Sequence, residues 1–116
     1  PEAAIAALNW VAGGASDKGY RDIARLRVAA LQLDAKAYDE ALKPLALEFT
    51  PAMAGLAADL RGDVLQAKSQ TSEAVAAYKM AWEKLADSPD YRRLLQAKLN
   101  ALGIDPTSAT VSEAPK

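Results

Sequence analysis

Two carboxylates four residues apart, Asp59 and Asp63, are the first candidates for chemistry in this chain. On a helix that spacing turns both toward one side. Such a pair can share a proton or offer oxygens to a hard cation. Spacing places no third or fourth oxygen ligand with them, and two solvated acids with Arg61 and Lys68 nearby in sequence explain the pattern as well. Arg61-Gly62-Asp63 spells an adhesion tripeptide, but such a motif has to sit on an exposed loop, and a helix is expected here. Trp10, Tyr78, Trp82 and Tyr91 could suggest a ligand box, yet aromatics at helical spacing are more often core. Histidine and cysteine are both absent. Their absence removes thiol nucleophiles, disulfides, the usual zinc sites and the most versatile general base. No strand is expected, so no glycine-rich phosphate loop follows one. The reading is non-catalytic, with no catalytic residue, cofactor or metal site assigned.

Bulk properties narrow the remaining classes. With 116 residues the chain has material for one modest core. Its 14 basic and 15 acidic residues give a formal charge of −1, so no net field recruits nucleic acid or anionic lipid. No segment approaches the ~20 apolar residues of a spanning helix, and no signal peptide is visible at the N-terminus. The chain opens with Pro1-Glu2. It is expected to be a piece of something longer, with any membrane anchor upstream.

The elements that must position these side chains are helices. Alanine occurs 27 times, and it has the best helix propensity and lets helices approach closely. Alternating runs of Val, Ile and Thr are missing, which disfavours strands. Breaks fall at Gly13-Gly14 with Ser16-Asp17, at Asp34 to Ala37, at Thr50-Pro51, at Ser69 to Thr71, at Asp87 to Pro89, and at Gly103 with Asp105-Pro106. Six helices fit between them, at about 2–12, 19–34, 38–49, 52–68, 72–86 and 89–102. Thr71-Ser72-Glu73 and Ser88-Pro89-Asp90 read as capped helix starts, and Gly103 as a stop. The second helix carries the stripe Ile23, Leu26, Ala30, Leu33, and beside it Ala24, Val28, Leu31. Two apolar stripes on one helix imply two neighbours. Residues 1–102 form the helical domain, beginning mid-repeat, and the Ser/Thr/Pro/Ala-rich stretch 103–116 is expected to be a disordered tail.

Self-similarity is the strongest signal. Ala7, Ala41 and Ala74 are spaced by 34 and 33 residues, and each is followed four positions on by an apolar residue: Val11, Leu45 and Tyr78. Twelve positions before Ala41 and Ala74 stand the small residues Ala29 and Gly62. This resembles the tetratricopeptide signature, in which small residues sit where paired helices cross closest and the large one fills the gap to the next helix. The early Trp of that signature is missing, and its turn glycine is replaced by Lys36 and Ser69. The expected fold is all-α: a tetratricopeptide-like α-solenoid of antiparallel helix pairs, with 89–102 as a C-terminal capping helix.

A narrower resemblance lies in three blocks and a closing helix. They are Ala24-Arg25-Leu26-Arg27-Val28-Ala29, Tyr38-Asp39-Glu40-Ala41-Leu42, Ala58-Asp59-Leu60-Arg61-Gly62-Asp63, and Leu95 to Leu102. In that order they resemble the C-terminal part of the YfgM family. The resemblance implies a periplasmic tetratricopeptide-like domain, tethered to the bacterial inner membrane by an anchor absent from this chain. It also implies association with the SecYEG translocon, periplasmic chaperones and exported polypeptides.

In tetratricopeptide arrays the first helix of each pair lines the concave face. Carried over by position, that face would present Ile23, Leu26, Ala30 and Leu33 from one repeat, and Leu56, Asp59, Asp63 and Gln66 from the next. The groove is expected to be apolar with an acidic edge, suited to hydrophobic or basic stretches of a protein partner. Cover by another helix or by a second copy of the chain is the alternative for these leucines. At the level of function, the alternatives are a homotypic scaffold, and a regulatory domain that sequesters a signalling protein.

Overall fold

In a computed structural model, the described residues are 2–14 and 17–107, with side chains not described for 11–14. Val11 as a packing position and the tail from 108 onward therefore lie outside them. Six helices are present among the described residues: α1 (Glu2–Gly14), α2 (Lys18–Asp34), α3 (Tyr38–Leu45), α4 (Pro51–Ala67), α5 (Thr71–Lys84) and α6 (Pro89–Ala101). They stack in chain order into an array 49 × 28 × 23 Å in extent.

The repeat shows most plainly in the turns. Lys36, Ser69 and Gly103 each take a left-handed backbone, with φ of 61, 65 and 82°. Each directs the following amide back across the end of a helix. Ala37 N–H donates to Gln32 O at 2.8 Å, Gln70 N–H to Leu65 O at 2.9 Å, and Ile104 N–H to Leu99 O at 2.9 Å. This is the bonding of a left-handed helix stop, for which glycine carries no Cβ penalty. The three stops recur at 33 and 34 residues, so α2, α4 and α6 occupy equivalent first-helix slots.

The hairpins close on small residues. Ala29, Ala41 and Ala74 are fully buried, and a methyl on Gly62 would lie 2.4 Å from the Tyr78 ring. α2 and α3 close around Ala29, Ala41 and Leu45, with Ala57 and Val64 of α4 completing the cluster. α4, α5 and α6 close around Leu65, Tyr78, Leu95 and Leu99. Ala7 does not share this environment. It is exposed on α1, and among the described residues no helix precedes α1 to pair with it.

Two local features differ from the sequence expectation. α3 ends at Leu45 rather than near residue 49, and Pro44 inside it leaves Glu40 O without its helical donor. Ala46 N–H is shared between Leu42 O and Lys43 O, a tightened last turn. The helix starts at Thr71 and Ser88 lack side-chain caps. Instead the N-cap residues Gln70 and Ser88 accept from Ala74 and Arg92 through their backbone carbonyls. At the head of α4 the hydroxyl is used differently. Asp22 of α2 is fully buried, and its Oδ2 accepts from both Thr50 N–H and Thr50 Oγ1–H at 2.8 Å. With Arg25 donating to Glu48 O at 3.1 Å, this ties the α3–α4 link onto the preceding hairpin.

Candidate protein-binding site

A groove of about 480 Å³ opens along the first-helix side, between α2 and α4. Ile23, Leu26 and Ala30 come from α2, and Leu56, Asp59 and Asp63 from α4. Six of the eight positions expected from the sequence thus meet in one place. Leu33 and Gln66 do not join them. Ten residues along a helix from Ile23, a side chain has rotated about 80°, which turns Leu33 into the core beside Ala41 and Leu45. Gln66 is exposed beside the Ser69 turn.

Four further residues line the groove: Arg27, Met53, Leu60 and Tyr91. Sequence reasoning missed Met53 and Leu60, although with Leu56 they stand at i, i+3 and i+7. Tyr91 arrives from α6, and no local pattern announces it. Ile23 is 38 % exposed, so the floor of the groove is not sealed by another part of the described chain.

The acidic edge differs from expectation. Asp59 is buried, and it accepts from the Tyr91 hydroxyl and, at 2.9 Å, from Lys98 Nζ. Asp63 accepts from the Tyr78 hydroxyl at 2.6 Å and from the same Lys98 at 3.1 and 3.2 Å. One ammonium and two phenols therefore engage both carboxylates, and all three donors sit on α5 and α6. Burial, then the hydrogen bonds and charges of the two aspartates, push both tyrosine hydroxyls far above their usual range. Burial alone would lower the Lys98 ammonium, but bonding and charge from Asp59 and Asp63 outweigh it and raise its pKa. The two acids are neither a free acidic rim nor a solvated pair. Lys68 is engaged elsewhere, with Asp39 at 2.5 Å. Arg61 stays exposed on α4.

The other candidates resolve simply. Gly62 is buried in mid-helix against Tyr78, so the adhesion tripeptide sits where no loop presents it. Tyr78 is core, and Trp82 carries the Arg92 guanidinium 4.1 Å above its ring. Trp10, by contrast, is 79 % exposed on α1 and belongs to no core cluster. Among the described residues no group of three or more His, Cys, Asp or Glu could hold a metal ion, and no helix is long and apolar enough to cross a membrane.

Helical hairpins stacked in 33- and 34-residue register, crossing on small residues and opening a groove along their first helices, define a tetratricopeptide-like repeat domain. Residues 1–104 match the tetratricopeptide repeat-like domain family. The ancillary SecYEG translocon subunit of Neisseria gonorrhoeae is 34 % identical over 95 residues, which is 82 % of this chain and 46 % of that protein. The protein of the same description from Escherichia coli is 33 % identical over 106 residues, 89 % of this chain and 50 % of that protein. The chain belongs to the YfgM family. It spans about half the length of these curated relatives. No solved structure matches it significantly.

Proposed function

We propose that this chain is a non-catalytic protein-interaction module whose first-helix groove holds an apolar segment of another polypeptide. The observation that carries the reading is the open groove itself: Ile23, Leu26, Leu56 and Leu60 converge there with Ile23 left partly exposed. Binding draws on burial of apolar area. Asp59 and Asp63 already have partners, so they act less as a charged rim than as the fixture that brings Tyr91 to the groove wall.

The relatives are ancillary SecYEG translocon subunits. By that kinship the partners are translocon subunits, exported polypeptides or periplasmic chaperones. The domain then works on the periplasmic side of a bacterial inner membrane. Site-specific photo-crosslinking from position 23 in bacterial cells tests this. Adducts with translocon subunits, exported chains or chaperones, lost on Leu56→Glu, are expected. No adduct, or adducts only with a second copy of the chain, refutes the reading.

A further inference from the structure

The opposite side of the array carries a second groove, and it has an internal control. The groove, about 490 Å³, lies where the end of α3, the middle of α4 and the outer side of α5 meet. One hairpin earlier, a depression between α1, α2 and α3 is built from equivalent positions. Arg25, Gln32, Lys43 and Leu47 there stand 33 residues before Ala58, Leu65, Ala76 and Met80 here. Arg25, Gln32 and Lys43 of the earlier copy are replaced by Ala58, Leu65 and Ala76 in the later one, while Val28 gives way to Arg61. Leu45, Ala57, Ala58, Leu65 and Ala77 of the later copy serve the core, but Leu47, Ala76 and Met80 stay exposed on its rim and belong to neither core cluster.

The exposures agree. Leu47 at 51 % and Met80 at 52 % are among the most exposed large apolar side chains. Charges are distributed along the groove. α4 and α5 are antiparallel, with Leu85 against Gly55 and Tyr78 against Gly62. Lys84 therefore lies at the Ala54 end, Arg61 farther along, and Glu73 at the Leu65 end. In the earlier hairpin Glu40 pairs with Lys43 at 3.2 Å. Their counterparts are Glu73 and Ala76, so that internal pair is lost. Neither Arg61 nor Lys84 has an ion-pair partner among the described residues.

We propose that this second-helix face is a separate docking site for an amphipathic helical segment of a partner protein. The segment's apolar stripe covers Leu47, Ala76 and Met80, and its acidic residues meet Lys84 and Arg61. An acidic first turn suits a helix of its own accord, because the N-terminal end of the helix dipole favours negative charge, and an apolar face with i, i+3, i+7 anchors is the usual form of helix-in-groove recognition. This site is independent of the first-helix groove, since the two share no lining residue.

The test uses the 116-residue chain and two synthetic peptides with one leucine stripe, flanked by glutamates in one and by lysines in the other. Amide chemical-shift mapping with the glutamate peptide is expected to perturb Leu47, Ala76 and Met80. Met80→Glu and Ala76→Glu, both at exposed positions that leave helicity intact, are expected to weaken its binding by about tenfold. Arg61→Glu with Lys84→Glu is expected to transfer the preference to the lysine peptide. Shifts confined to Ile23, Leu26 and Leu56, equal binding of the two peptides, or no binding overturns the proposal. So does light scattering that shows a dimer dissociated by Met80→Glu, because the occupant is then a second copy. None of these outcomes touches the crosslinks from position 23, which judge the first groove separately.

Discussion

Gly62→Ala is a sharp test of the repeat geometry, because helix propensity and packing predict opposite signs. In an exposed mid-helix position the change would stabilise by about 1 kcal/mol. Here the new methyl would stand 2.4, 2.5 and 2.9 Å from Cε1, Cδ1 and Cζ of Tyr78. The ring is buried, so relief requires it to swing. Overpacking of this kind costs about 1–3 kcal/mol. A displaced ring also loses its 2.6 Å bond to Asp63, worth about 1–2 kcal/mol for a charged acceptor. Subtracting the propensity gain leaves a net destabilisation of about 2 kcal/mol. Urea unfolding followed by circular dichroism reads it directly. With a slope of about 1–1.5 kcal/mol/M, the midpoint falls by about 1.5–2 M. The preceding hairpin supplies the rescue: Ala29 and Leu45 stand where Gly62 and Tyr78 stand. Gly62→Ala combined with Tyr78→Leu is therefore expected to recover at least about 1 kcal/mol relative to additivity. A neutral or stabilising Gly62→Ala would refute the close crossing, and with it the equivalence of the hairpins.

Lys36→Gly and Ser69→Gly each remove a side chain from a left-handed turn, and each is expected to stabilise by about 0.5–1 kcal/mol after the entropy cost of glycine. Gly103→Ala has the opposite sign, and thermal unfolding of all three checks the pattern. Lys98→Met strands Asp59 and Asp63 with only their tyrosine partners. Because the Lys98 and Asp63 side chains are 24 and 31 % exposed, the cost is about 2 kcal/mol, below that of a fully buried pair, and hydrogen exchange should quicken in α6. Tyr78, Tyr91 and Lys98 all hold their protons more tightly folded than unfolded. Their stabilisation is whole below the unfolded values of 10.0 and 10.5, and is lost as pH rises beyond them. The urea midpoint should accordingly stay flat to about pH 9 and fall above 10; a rise there would refute the assignment.

What the sequence made legible was local. The stripe on α2 and the alanines at 41 and 74 follow from spacing, and the turn positions where Lys36 and Ser69 replace glycine follow from the resemblance to the repeat signature. Ala41 and Ala74 are fully buried and Lys36 and Ser69 take left-handed turns, whereas Leu33 of the stripe turns into the core instead of the groove. Ala7 obeyed the same spacing but is exposed, because spacing names a helix face and not what covers it. The carboxylate network was illegible for a related reason. Lys98 reaches Asp59 across 39 residues and Tyr91 reaches it across 32, and no periodic rule links positions on helices that meet only after stacking. Pro44 was readable, yet its effect depended on the bonding of the last turn of α3. The second-helix groove became visible only when two hairpins could be compared position by position.

The arrangement in which one ammonium serves two carboxylates, each also held by a phenol, has a consequence for how these sequences can drift. Replacing Lys98 alone leaves two carboxylates under α6 without a cation, whereas replacing one aspartate leaves the other still paired with Lys98. Among relatives, either acid can therefore be exchanged while the lysine remains, but the lysine is not expected to be lost while both acids are kept. Lineages that have discarded the lysine should have discarded at least one of the acids with it.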